Sequence, residues 1–369
     1  MLKRIELKNF RSFGDFSLEL DNINILIGGN GAGKSNFISI FTFLNYISKG
    51  QMRLWIAEKG GFDNIIYKGI QENDSINIEF YFDSKGPGLL NIYSLSLKAT
   101  ENDYIVESED IGYWDELKYP APKMMNIAKI ADDSKFNLTV NNNQKEGHNI
   151  AYYIDNIIQN WKIYHFDDVS PNSNKKREQD IEKGFFLQEE GDNIAAFLYF
   201  LKTKYAENYQ KIVEAVKLVA PYFKDFILEP EKESKKLIKL RWMEKESIKE
   251  FSASLMSDGT LRFLCLAALL LQPYLPEVVI IDEPELGLHP LAITILSELV
   301  KKASTNSQII MATQSVTLLN NFKPEDVIVI DKEKEGSSIK RLDKETLSGW
   351  LDEYTLGELW EGNYIGGRY

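Results

Sequence analysis

The sequence predicts an α/β protein built on a parallel core sheet, and three observations predict it. A short apolar strand, Ile23 to Ile27, runs into a glycine-rich loop, Gly28 to Gly33, and then into a helical pattern from Lys34 to Ile47. Near the other end, apolar runs alternate with helical periodicity: a helix over 258–271, a strand from Val278 to Ile281, a helix from Pro290 to Ala303, and strands from Ile309 to Ala312 and Val327 to Ile330. Between these regions, polar and apolar residues alternate with period two over 76–82, 92–99 and 104–114, as antiparallel strands with one buried face do.

Taken in order, Ile5, Leu7 and Phe10 and then Phe16, Leu18 and Leu20 read as two strands joined by a turn at Ser12-Phe13-Gly14, forming an edge of the sheet. Lys85-Gly86-Pro87-Gly88 interrupts the alternating strands that follow. Helical periodicity occupies 149–225, notably Asn193 to Tyr205 and Glu207 to Val219, and stops at Ala220-Pro221. The charged stretch Glu229 to Lys239 reads as solvated surface, and a second alternating lobe begins near Leu237. The expected organisation is an N-terminal lobe over 1–145, a helical insert over 146–228, a C-terminal lobe over 229–345 and a tail over 346–369. No heptad repeat is sustained, which excludes a long coiled-coil arm.

Composition bounds the function classes. With 369 residues and 44% hydrophobic content, the chain is long enough for two or three core-bearing units. The longest apolar run, Leu264 to Leu271, is far shorter than the ~20 residues of a membrane span, and Met1-Leu2-Lys3-Arg4-Ile5-Glu6 lacks the apolar segment of a secretion signal. The expectation is a cytoplasmic protein without a membrane partner, and the single Cys265, inside an apolar run, is read as core packing. A net charge of -12 opposes broad coating of nucleic acid, so DNA contact would need a local cluster such as Lys235, Lys236, Lys239 and Arg241.

Gly28-Gly29-Asn30-Gly31-Ala32-Gly33-Lys34-Ser35 matches G-x-x-x-x-G-K-[ST] without a departure. Glycines let the backbone wrap a phosphate with inward N–H groups, and the following helix turns its positive end to the same anion. Lys34 is the cation for the β- and γ-phosphates of ATP, and Ser35 offers a hydroxyl to Mg²⁺. The plainer alternative, a glycine-rich turn before a helix, does not explain the complete motif between a strand and a helix. Further on, Val278 to Ile281 is a fully buried type of strand ending in Asp282-Glu283, which places two carboxylates at the carboxyl edge of the sheet where nucleotides bind. Asp282 would hold Mg²⁺ through water and Glu283 would orient or deprotonate the attacking water; a helix N-cap is the alternative for such a pair in isolation.

Four segments together resemble the ABC-class ATPases of the RecF and SMC branch, above all its compact prokaryotic members. They are Asn9-Phe10-Arg11-Ser12-Phe13, the phosphate loop, Ser254-Leu255-Met256-Ser257-Asp258-Gly259-Thr260, and Asp282-Glu283-Pro284-Glu285-Leu286-Gly287-Leu288-His289-Pro290. The closing stretch Leu356-Gly357-Glu358-Leu359-Trp360 through Gly366-Gly367-Arg368 is similar to the tail of such ATPases. The resemblance implies a P-loop ATPase head of ABC type with a mixed β lobe, a helical insert and a parallel core sheet. It adds Asn36 and Arg11 to the nucleotide-binding set Gly28, Asn30, Gly31, Ala32, Gly33, Lys34 and Ser35. It also implies that Ser257 and Gly259 open a helix aimed at the γ-phosphate held by a second copy, in an ATP-dependent homodimer; a Ser N-cap followed by a turn glycine is the bland alternative.

One departure bears on catalysis. The family's switch histidine is Gln314 here, within Ala312-Thr313-Gln314-Ser315, and glutamine offers an amide but carries no proton charge. For the family's Q-loop glutamine, Gln71 and Gln188 are the candidates, surface glutamine being the plainer reading of each. His165, between Tyr164 and Phe166, reads as a packed histidine and His289 as shaping the loop after the acidic pair. The expected function is Mg²⁺-dependent ATP hydrolysis that switches a separately encoded nuclease or effector in DNA repair or anti-phage defence. The alternatives are the ATP-binding subunit of a transporter and an ATP-held switch with little turnover.

Overall fold

The structure is a computed structural model; it describes residues 1–84, 86–101, 103–142 and 148–368, so Lys85 of the predicted interruption lies outside the described residues. The chain divides into two compact units, one comprising Met1–Trp161, Pro324–Tyr354 and Glu358–Tyr369, the other Lys162–Lys323 and Thr355–Gly357.

The first unit opens with β1 (Leu2–Phe10) and β2 (Phe13–Glu19), paired antiparallel with Ile5 opposite Leu18 and Leu7 opposite Phe16. Next come β3 (Ile23–Ile27) and helix α1 (Lys34–Ser48), then α2 (Met52–Glu58). A meander follows, made of β4 (Ser75–Asp83), β5 (Leu89–Ala99), β6 (Tyr104–Asp115) and β7 (Lys123–Ala131), each antiparallel to the next. Helices α3 (Phe136–Val140) and α4 (His148–Gln159) close this stretch.

In the second unit, β8 (Trp161–Tyr164) leads into a run to residue 193 that holds only 3-10 turns and the two-residue β9 (Gln179–Asp180). Helices α5 (Ile194–Lys204) and α6 (Ala206–Val219) come next, followed by β10 (Phe223–Ile227), β11 (Leu237–Ile238), β12 (Arg241–Glu244) and β13 (Glu250–Ser252). The helix α7 (Asp258–Leu270), β14 (Val278–Asp282), α8 (Pro290–Ala303), β15 (Gln308–Thr313) and α9 (Val316–Leu319) complete it. Strand β14 runs parallel to β15 with Ile280 opposite Ile310, and β8 lies on the other side of β14. Every residue of α7 from Thr260 to Leu270 is buried, which explains why this helix reads as apolar all round rather than amphipathic.

Returning to the first unit, β16 (Val327–Glu333) and β17 (Gly336–Arg341) form a hairpin before α10 (Lys344–Leu351). Its strands run in the order β7-β6-β5-β4-β1-β2-β17-β16-β3, with β3 parallel to β16 and the left part antiparallel. This mixed arrangement is the α/β architecture the sequence implies.

Three local expectations change. The β1–β2 hairpin is not an edge: β1 lies between β4 and β2, and β2 pairs with β17 through Phe13 and Ser337. Turn residues fix a hairpin but not what docks alongside it, because that pairing joins residues far apart in sequence. The run from Trp161 to residue 193 is not helical. In it, Asp168 Oδ1 accepts the Ser170 N–H at 3.0 Å, the Ser173 hydroxyl donates to the Asp168 carbonyl at 2.9 Å, and Pro171 stands between, so local bonds replace a helical ladder. Strand β7 escaped notice because most of its residues are exposed, with Lys123 and Lys129 on a sheet-edge strand, where lysines discourage pairing with another chain.

Two packing features anchor the glycine-rich loop and the meander. The rings of Phe10 on β1, Phe43 on α1 and Trp55 on α2 lie 4.7 to 6.2 Å apart, so aromatic burial fixes α1, and with it the loop before it, against the sheet. Beneath the meander, the fully buried Glu109 accepts hydrogen bonds from the Tyr93 hydroxyl at 2.6 Å, the Ser134 hydroxyl at 2.5 Å and the Lys135 N–H at 2.6 Å. Burial raises the pKa of this carboxyl, and the three donors oppose that rise. Tyr93→Phe removes one donor from a buried acceptor and is expected to lower stability by about 1–3 kcal/mol in urea unfolding; an unchanged midpoint would show that the Glu109 network contributes nothing to the fold.

Candidate functional site

In the first unit, the glycine-rich loop leaves β3 at Gly28, and α1 begins at Lys34. Lys34 is buried and its ammonium donates to the carbonyls of Gly28 at 2.5 Å and Gly29 at 3.2 Å, folding the side chain back over its own loop. The Ser337 hydroxyl on β17 donates to the Ala32 carbonyl at 2.5 Å, and Ala32 N–H donates to the Gly29 carbonyl at 3.2 Å. Gly33 has φ +125, and a Cβ there would lie 2.7 Å from Ser337 Oγ and 3.0 Å from Ser12 Oγ. Only glycine fits a turn that is both left-handed and hemmed by two hydroxyls. Asn30, Gly31 and Ser35 are exposed at the loop's rim, whereas Ala32 is buried.

Arg11 joins this loop. Its guanidinium donates from Nη1 to Asn36 Oδ1 at 3.1 Å and lies over the Trp55 ring, 5.5 Å from its centroid, while Asn36 Nδ2 donates to Ser12 Oγ at 2.9 Å. The Arg11 backbone is left-handed, φ 54, and its N–H donates to the Ile65 carbonyl at 2.7 Å. Burial lowers the pKa of the guanidinium, and its Nε is buried without a hydrogen-bond partner. A loop of backbone amides with a buried lysine, an exposed serine hydroxyl and an orphaned arginine nitrogen fits a phosphate-bearing ligand with a divalent cation.

In the second unit, β14 delivers Asp282 and Glu283 to its carboxyl end, both half-buried. Glu283 N–H donates to the Ala312 carbonyl at 2.9 Å, yet its backbone is left-handed at φ 45, an uncommon conformation for a side-chain-bearing residue. Gln314, exposed just beyond β15, donates from Nε2 to Glu283 Oε1 at 2.5 Å. Two candidates far apart in sequence thus meet. The neutral amide donates to the carboxylate without bringing a charge of its own.

Ser257 and Gly259 sit at the start of α7. The Ser257 side chain accepts from Thr260 N–H at 3.2 Å as the N-cap, so the bland reading of this serine holds as local geometry. A Cβ on Gly259 would come 2.5 Å from the Gly287 carbonyl, which places the helix start directly on the loop after the acidic pair. His289 caps α8, its Nδ1 accepting Leu291 N–H at 3.2 Å, and His165 donates its N–H to the Glu189 carbonyl at 3.0 Å.

Sequence reading passed over two residues here. Arg262 is buried, and its guanidinium donates to the carbonyls of Phe166 at 3.3 Å, Asp167 at 3.0 Å and Leu286, tying α7 to two loops. Its signal was a cation inside an apolar helix, the kind of buried polar residue that carries information. Glu285 accepts from the Thr313 hydroxyl at 2.6 Å and from Gln314 N–H at 3.1 Å, and burial raises its pKa. It stood within the acidic motif, but nothing in the sequence says which backbone it faces.

Gln71 lines a polar cleft of 340 Å³ with Lys8, Asn9 and residues 70–75, and Gln188 is exposed. Of the basic cluster, Lys236, Lys239 and Arg241 pair with Glu182, Glu178 and Glu250 at 3.3, 2.8 and 2.7 Å, so its charge is largely compensated. Among the described residues no helix is long and apolar enough to cross a membrane.

The model of the family described as "AAA domain, putative AbiEii toxin, Type IV TA system" matches residues 23–320, which include the phosphate loop, α7, the acidic pair and Gln314. A sequence comparison with curated proteins gives no match. Among solved structures, an SMC head bound to the C-terminal winged-helix domain of ScpA aligns with TM-score 0.57 and 17% identity, covering 94% of this chain and 99% of that one. The SMC head domain from Thermotoga maritima gives 0.52 and 16%, covering 93% and 99%. The SMC head from Pyrococcus furiosus with an extended coiled coil, bound to the C-terminal domain of ScpA, gives 0.54 and 15%, covering 95% and 98%. At such identity the likeness is one of fold, and the fold is that of the SMC head. With more than half of its length matched by the family model, the chain belongs to the AbiEii-like AAA domain family and is a P-loop ATPase with the fold of an SMC head.

Proposed function

We propose that this ATPase hydrolyses ATP at sites completed by a second copy of the chain, and that the closing and opening of this pair switches a separately encoded nuclease or effector. The observation that carries the reading is the bond from Gln314 to Glu283, which gives the carboxylate at the end of β14 a fixed direction and no competing proton. The family description, which names a toxin of a toxin–antitoxin system, supports a defensive setting over a transporter.

In this mechanism the amides of Gly31, Gly33 and Lys34 bind phosphate oxygens, and the Lys34 ammonium exchanges the carbonyls of Gly28 and Gly29 for the β- and γ-phosphates. Mg²⁺, for which Ser35 offers a hydroxyl and Asp282 a carboxylate, supplies charge neutralisation to the phosphates when bound. Arg11, held by Asn36, adds a second cation to the same loop. Glu283 takes a proton from the water as its oxygen attacks the terminal phosphorus, and the bond to ADP breaks. Ser257 and Gly259 present the positive end of α7 to the nucleotide of the other copy, so ATP joins the two and its hydrolysis releases them.

Lys34→Ala is expected to weaken ATP binding by about ten- to a hundredfold, the loss of one charge-assisted contact, in titration calorimetry. Undiminished affinity would reject the phosphate-loop assignment.

Glu283→Gln is expected to cut turnover by about a hundredfold or more while ATP binding survives, because size and one accepting oxygen are kept and the base is lost. With ATP and Mg²⁺ the variant should accumulate as a dimer in light scattering, and Ser257→Arg in the same chain should return it to monomer. If ATP changes neither the mass nor the distance between fluorescent labels on two heads, the composite site is wrong.

A further inference from the structure

The segment that carries Gln314 is held by side-chain hydrogen bonds beyond the end of β15. Gln314 itself is exposed, it follows the last residue of β15, and a long flexible side chain loses rotamer entropy whenever it is fixed on one partner. What organises the segment is a single oxygen of Glu285. Oε1 accepts both the Thr313 hydroxyl at 2.6 Å and Gln314 N–H at 3.1 Å, while Thr313 Oγ1 in turn accepts Ser315 N–H at 2.9 Å. Ser315 then caps α9, its Oγ accepting Leu318 N–H at 3.1 Å. Three consecutive residues are thereby registered on one carboxyl group two positions from Glu283.

We propose that Glu285 is a positioning residue for hydrolysis: by fixing Thr313 and the Gln314 backbone, it aims the Gln314 amide at Glu283. Two further observations separate this from ordinary packing. The second oxygen, Oε2, is buried with no hydrogen-bond partner, and burial, with the Glu283 charge adding to it, raises the carboxyl's pKa. A carboxyl desolvated with half its capacity unused is a poor stabiliser, since carboxylates are seldom buried without full pairing. The other observation is the left-handed backbone of Glu283. Such a conformation persists only where the surroundings over-determine it, and the two tethers here are the Glu283 N–H bond to Ala312 and the grip of Glu285 on Thr313 and Gln314, with Pro284 stiffening the link between the two glutamates. The acidic strand's end and the end of β15 are locked to each other from both sides, and Gln314 is the group whose direction this lock sets.

The inference rests on Glu283 being the general base proposed above. Steady-state turnover and ATP affinity of Glu285→Ala, Glu285→Gln, Gln314→Ala and the double variant Glu285→Ala/Gln314→Ala test it. Glu285→Ala should lower kcat by about tenfold with ATP affinity within about twofold of wild type, a split that general loss of structure would not give. Glu285→Gln keeps an accepting oxygen and should recover most of that kcat. Because Glu285 acts through Gln314, the double variant should be no slower than Gln314→Ala alone, whereas losses that multiply would mean independent roles. Wild-type kcat in Glu285→Ala, multiplying losses, or no recovery in Glu285→Gln overturns the proposal. Should Glu285→Ala not fold, Thr313→Val removes one of the two bonds at nearly constant shape and should lower kcat in part; wild-type kcat there has the same overturning force. Glu283→Gln, run in parallel, separates the two readings: full turnover in it overturns both, and a sharp loss in it beside unaltered Glu285→Ala overturns the positioning role alone.

Discussion

Where a strand ends, backbone pairing ends with it, and the groups that a parallel sheet leaves at its carboxyl edge must find other partners or be solvated. Three of the candidate residues of this protein sit just past strand ends: Lys34 beyond β3, Glu283 beyond β14 and Gln314 beyond β15. The loops there are held by side chains acting on carbonyls and amides. Lys34 closes on Gly28 and Gly29, Ser337 on Ala32, Arg262 on Phe166, Asp167 and Leu286, and Glu285 on Gln314. Each such bond can be exchanged for one to a ligand or a rearranged neighbour, which a ladder bond within a sheet cannot.

The charges buried in these tethers cost desolvation, and the structure offsets that cost unevenly. Arg262 meets three carbonyls, and Lys175, with no exposed surface, donates to the Asp168 carbonyl at 2.7 Å. Lys176 reaches the Val169 carbonyl and also Asp258, 3.1 Å away at the start of α7. For Arg262 and Lys175, carbonyl dipoles solvate the buried cation where no carboxylate is paired with it. Glu285 and Arg11 are different, since each leaves a buried polar atom unpartnered. Arg4, Arg241, Glu325 and Arg341 also leave a buried atom without a hydrogen-bond partner, but Arg11 and Glu285 lie beside the residues proposed to meet phosphate and water.

Much of this was legible in the sequence because short-range chemistry wrote it. The complete phosphate-loop motif lies between β3 and α1, and the alternation over 76–82, 92–99 and 104–114 corresponds to β4, β5 and β6. The helical reading failed between Trp161 and residue 193, where Asp168, Ser170, Ser173 and Pro171 make turns that periodicity does not register. The role of Gln314 could be posed from its departure from a histidine pattern, but its partner could not, because Glu283 lies 31 residues away.

By itself the sequence determined the elements whose causes are local: which stretches are strands and helices, the glycine that must sit at Gly33, and the carboxylates that end β14. It did so because turn chemistry, side-chain period and backbone reach act over a few residues. Tertiary structure alone decided that β1 lies inside its sheet, that Arg262 gathers three backbone carbonyls, and that Glu285 grips the residues beside Gln314. Those contacts join residues that the chain separates by 24 to 96 positions. Their partners are set by how strands register and helices pack, and no local pattern encodes that.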